Sequence, residues 1–239
     1  MTSIKNNRIK ESGNVLIYIL GAIFLLGILV IAVKGSSTPG AGIDQEQLII
    51  RVAEVQAYGK ELEDAVAYIM ANGHSESDIR FAHPNASSAY GDITDTPTRQ
   101  VFSRAGGGAK YREPPSGIQT TVTPWNFNAG NRVESIGSSC FTSACTDLVT
   151  VLPNVTKDFC LAINKANDIS DVVGDPPQDC GSIEFEAAFT GDYSYAHQLA
   201  DNTGCGGNDF LNGKLEGCIE GGANPPVGTY HYYRVLLVR

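Results

Sequence analysis

Six cysteines and four histidines account for most of the chemistry open to this 239-residue chain. Cys140, Cys145, Cys160, Cys180, Cys205 and Cys218 all fall in its C-terminal half. An even number of cysteines in an oxidising compartment forms disulfides, up to three here, and several pairings are possible. Near neighbours are the preferred partners: Cys140 with Cys145, Cys160 with Cys180, and Cys205 with Cys218. No Cys-x-x-Cys spacing occurs, so a zinc ribbon or a thioredoxin-like redox site lacks its ligands. His74, His83, His197 and His231 stand far apart, outside any His-Glu-x-x-His or Gly-x-Ser-x-Gly pattern. Gly106-Gly107-Gly108-Ala109-Lys110 has neither the glycine spacing nor the hydroxyl residue of a phosphate loop, and reads as a mobile loop. Asp201, Asn202, Asn208 and Asp209 bring oxygen ligands into a glycine-rich stretch. Their spacing is not that of an EF-hand, and a disulfide-pinned turn closed by Cys205 is the simpler reading. The expectation is a protein that is not an enzyme, with no catalytic residue, no cofactor and no metal.

Charge narrows the partners. Of 17 Lys and Arg, four (Lys5, Arg8, Lys10, Lys34) lie in residues 1–34, together with one of the 26 acids, Glu11. The rest of the chain therefore keeps 13 bases against 25 acids, a net charge near −12. Nucleic-acid binding needs clustered bases on phosphates, and so strong an acidic balance argues against it.

The element that positions everything else is at the start. Val15 to Val33 are nineteen apolar or glycine positions without a charge, preceded by Lys5, Arg8 and Lys10. As a helix this run extends roughly 29 Å, close to the thickness of a bilayer core. It is longer than the apolar region of a cleaved secretory signal and ends in Lys34-Gly35, so a retained single-pass helix is expected. The basic leader would stay cytoplasmic and the rest would lie across the membrane.

Thr38-Pro39-Gly40-Ala41-Gly42 then interrupts the helix. A second helix is expected from Asp44, capped with Gln47 in the capping-box position, to the stop at Asn72-Gly73. Its stripe is Leu48, Val52, Val55, Leu62, Val66 and Ile69, with Gly59 in the slot between Val55 and Leu62. This face packs on its own domain or on identical neighbours, and different ends of the helix could do each. Residues 74–117, rich in Ser, Asp, Pro and Gly, read as loop. Strands are expected around Trp125 and Phe127, returning as a hairpin over Arg132 to Ile136, and at Leu148 to Leu152, where Pro153 ends the run. Further strands are expected at Ile183 to Phe189 and at Tyr230 to Val238. A short helix from Thr156 to Lys165 should bury Phe159, Cys160 and Ile163. Tyr230, Tyr232 and Tyr233 read either as an exposed contact patch or as strand alternation.

This order of parts resembles a type IV pilin or pseudopilin: a basic leader ending in Gly13, an apolar helix, a flexible break, an amphipathic helix and a cysteine-bearing C-terminal sheet. The resemblance implies an α+β fold. A long N-terminal helix, half transmembrane and half amphipathic, would pack on a disulfide-stabilised antiparallel sheet head. The corresponding segments are a leader at 1–13, a transmembrane helix at 14–34, a break at 35–43, an amphipathic helix at 44–72 and the head at 73–239. The resemblance also implies processing by a prepilin peptidase between Gly13 and Asn14, with methylation of the new amine. Partners would be the membrane, through Val15 to Val33, and like subunits in a filament; the protein would belong to the bacterial inner membrane with its head outside. Two positions depart from the family: Asn14 stands where Phe or Met is usual, and Tyr18 where Glu is usual. Loss of that acid is more typical of a minor or tip-located subunit. The alternative function is a single-pass anchored binding module that does not polymerise.

Overall fold

A computed structural model describes residues 18–24, 41–138, 142–170, 174–179, 185, 187–194, 197–199 and 210–239. The chain divides into two units, residues 1–47 and 48–239. In the first, residues 18–24 are helical (α1), and their Tyr18, Ile19, Leu20, Ile23 and Phe24 are exposed. The start of α2 (Ala41–Ala71) belongs to the same unit.

These helices correct the expected long N-terminal helix. Among the described residues, no helix is long and apolar enough to cross a membrane. The seven described residues of α1 span only about 10 Å. The 31-residue α2 is long enough, but Glu46, Arg51, Glu54, Lys60, Glu61, Glu63 and Asp64 make it too polar for hydrocarbon. The leader, Asn14 to Ile17, Leu25 to Lys34 and the Thr38-Pro39-Gly40 break lie outside the described residues. The amphipathic helix begins at Ala41, three residues ahead of Asp44. It ends at the expected stop, where Gly73 takes φ +88°.

The second unit is an α+β body. The stripe of α2 is buried at Val52, Val55, Tyr58, Leu62, Ala65, Val66 and Ile69, at helical spacing. Along its flanks, Arg51 pairs with Glu54, and Lys60 with Glu63 and Asp64. Among the described residues six strands follow: β1 (Asn126–Asn128), β2 (Asn131–Val133), β3 (Leu148–Val155), β4 (His197–Leu199), β5 (Glu216–Glu220) and β6 (Tyr230–Leu237). Four form one antiparallel sheet in the order β1-β3-β6-β5, and β2 pairs with β4 in parallel. The second long helix of the body, α3 (Lys157–Ala166), is capped by the Thr156 hydroxyl, which accepts from the Phe159 amide at 3.3 Å.

Both faces of the sheet are covered, which explains its dense apolar alternation. Leu148, Leu152, Cys218, Tyr232 and Leu236 join α2 and α3 in the larger core, with Phe81, Phe127 and Trp125. Val149, Val151, Ile219, Tyr233 and Val235 face a smaller core with Val133, Leu199 and Leu211. Tyr232 and Tyr233 are therefore fully buried on opposite faces, and no tyrosine patch forms. The expected hairpin also fails: β1 and β2 join different sheets. Pro153 does not end β3, which continues to Val155 through a register shift.

Residues 74–125 carry three short 3-10 turns and two bridges, Arg80 to Gln100 and Gln119 to Val155. The glycine run is packed, not loose. Gly107 donates to the Gln100 carbonyl at 2.9 Å, and a Cβ there would stand 2.7 Å from the Val101 carbonyl oxygen and 2.8 Å from Ala65 Cβ of α2.

Candidate functional site

Two polar arrangements stand out in the body. The first fastens α2 to the sheet. Arg234 donates to Glu63 at 2.7 Å and to Glu216 at 3.1 Å, and the Tyr232 hydroxyl donates to Glu216 at 2.8 Å. Burial raises the Glu63 carboxyl, but hydrogen bonds from Arg234 and Lys60 outweigh it and hold the group below its ordinary value. Each charge is answered, so this cluster is structural.

The second is a cleft of about 670 Å³, within the range of small-ligand sites. One wall comes from β1 and the segment before it, with Thr123, Trp125 and Asn126. Another comes from the irregular end of β3, where Asn154 takes φ +56°, a conformation asparagine tolerates better than most residues. The Asn154 carbonyl accepts from Thr120 N at 2.8 Å, and Gln119 donates to the Pro153 carbonyl at 2.8 Å, so residues 119–124 are tied to that wall. The third wall is the 221–229 loop between β5 and β6, with Asn224, Pro225 and Thr229. Gly221 N donates to Thr229 O at 2.9 Å, and Gly228 N to the Glu220 carboxylate at 2.9 Å, which fixes its shape.

The inner surface carries His231. It is 4 % exposed, its Nε2 lies 2.9 Å from the Thr229 hydroxyl, and its ring centre is 5.2 Å from Phe185. Burial lowers its pKa to about 4, so the ring is neutral at physiological pH. Its Nδ1 and the Trp125 Nε1 have no hydrogen-bond partner among the described residues. Leaving such a group unmatched costs about 1–3 kcal/mol. No charged side chain lines the cleft among the described residues. The outward backbone groups of the edge strand β1 are occupied: Phe127 N donates to the Tyr90 hydroxyl at 2.8 Å, and Phe127 O accepts from Phe189 N at 2.8 Å. The neutral imidazole is held at the inner surface by its contact with the Thr229 hydroxyl.

The residues singled out in the sequence are placed as follows. Cys160 of α3 is bonded to Cys218 of β5 across 58 residues, replacing the near-neighbour pairs Cys160–Cys180 and Cys205–Cys218. Cys145 is buried and disulfide-bonded. Gly13, Asn14, Cys140, Cys180, Cys205 and the oxygen-ligand set Asp201, Asn202, Asn208 and Asp209 lie outside the described residues. His74 is half-buried, His83 stacks on Tyr111 at 4.5 Å, and His197 is on β4. No group of residues able to hold a metal occurs among the described residues. Asn126, Asn154 and Asn224 carry no signal in the sequence, since they lie in three separate segments that only the fold brings together.

No protein-family model, no curated protein and no solved structure matches this chain.

Proposed function

We propose that the protein is a structural subunit of a type IV pilus-like or type II secretion-like filament, with residues 48–239 as its presented head. The observation that carries this reading is a division of labour along α2. From Val52 onward its apolar stripe is spent on its own core, whereas Ile49 and Ile50 stand 60 % and 56 % exposed. Such an exposed apolar pair suits contact with a like subunit. The apolar run Val15 to Val33 would add to self-association and, before assembly, contact the bacterial inner membrane. The buried Cys160–Cys218 disulfide fits a head held in an oxidising compartment, periplasmic or on an extracellular filament. A prepilin peptidase would act between Gly13 and Asn14.

The test is the intact mass and N-terminal sequence of the native protein, with negative-stain microscopy of the same preparation. A chain beginning at Asn14 in filaments is the expected result. A chain that keeps its leader and stays dispersed overturns it and favours a second reading, an anchored binding module that does not polymerise. The neutral cleft is what speaks for that module.

A further inference from the structure

We infer that the cleft between β1, the end of β3 and the 221–229 loop binds an uncharged carbohydrate through the carboxamides of Asn126, Asn154 and Asn224. Three separate elements bring these amides to one concavity. The side chains of Asn154 and Asn224 make no hydrogen bond among the described residues, and Asn126 uses only its oxygen, accepting from Asn128 at 3.0 Å. A carboxamide offers a donor and an acceptor side by side, the pair that adjacent sugar hydroxyls match. The buried His231 lies beneath the same cleft, its Nδ1 enclosed and without a partner among the described residues.

The alternatives fit less well. An anionic or cationic ligand would find no opposite charge among the described lining residues, in a protein whose formal net charge is −9. An extended peptide would add to the β1 edge, but Tyr90 and Phe189 occupy the backbone groups of Phe127 there. Neutral hydroxyl groups remain as the chemistry this surface answers.

Trp125 is the only tryptophan in the chain and lines both the cleft and a second hollow beside Arg51 and Arg112, so its emission reports binding at either and the asparagine variant tells the two apart. The experiment titrates the full chain with neutral di- and trisaccharides built from glucose, galactose, mannose and N-acetylglucosamine, at up to millimolar concentrations. Saturation-transfer NMR runs in parallel. The expected result is a saturable emission change and sugar-proton transfer with at least one of them. In the Asn154→Ala/Asn224→Ala variant, the affinity should fall about tenfold or more. Unchanged circular dichroism in that variant separates loss of binding from loss of fold. No saturable response across the panel overturns the inference. So does a response the variant retains, or one given only by a proline-rich peptide or a heparin fragment. None of these results depends on whether the chain forms filaments.

Discussion

Gly59 of α2 meets Arg234 of β6 so closely that a Cβ at position 59 would collide with Arg234 Cδ and stand 3.1 Å from the Tyr232 hydroxyl. The gap in the apolar stripe is where the sheet's ion pair passes. Gly59→Leu should therefore cost about 1–3 kcal/mol in urea denaturation by overpacking. Gly59→Ala should fall short of the roughly 1 kcal/mol gain that helix propensity alone would give. A full gain for alanine would show that the approach is looser than described.

The Cys160–Cys218 bond closes a loop 58 residues long. The chain-entropy relation gives about 4 kcal/mol for a loop of that size. Cys160→Ala/Cys218→Ala should lower the unfolding free energy by that order, read by guanidinium denaturation under non-reducing conditions. An equally stable double variant would mean that α3 is held to β5 by packing alone.

His231 gives the body a pH dependence of definite sign. Its ordinary value is 6.5 and burial lowers it to about 4. Between these values the unfolded chain binds the proton and the folded chain does not. Stability is therefore intact above about 6.5, falls as pH drops, and has lost about 3 kcal/mol from this group near pH 4. His231→Gln should flatten that part of the stability–pH curve. An unchanged slope would place the titration elsewhere.

Ile49→Lys/Ile50→Lys replaces the exposed apolar pair with charge. Because both residues are exposed, the stability of the body should change by no more than about 0.5 kcal/mol per site. Filament formation, scored by microscopy and sedimentation, should be lost. Filaments from this variant would remove the observation on which the proposed function rests.

What the sequence made legible was local. The pattern of β6 and the cap and stripe of α3 are complete within their own segments, and both elements fall within a residue or two of expectation. β5 was not legible because Glu216-Gly217-Cys218-Ile219-Glu220 has little strand character of its own and depends on pairing with β6. The Asn128–Asn131 turn looked like a hairpin. Instead, Asn131 donates to the Asn128 side chain at 2.9 Å at a buried corner where the chain changes sheets. The cysteine pairing was missed for a related reason. Sequence proximity favours short loops, but the fold lays α3 against β5, and that contact decides the partner. The candidate cleft is the least readable part, since its three asparagines carry no periodicity and meet only through tertiary structure.

The order of strands governs when this body can exist. β6 is the last element in the chain, yet it lies inside the sheet, between β3 and β5. Until residues 230–237 are available, β1 and β3 form only a two-stranded ribbon and β5 has no neighbour in the sheet, an arrangement with little stability of its own. Closure of the four-stranded sheet therefore waits for residues 230–237, which must pair with β3 on one side and β5 on the other.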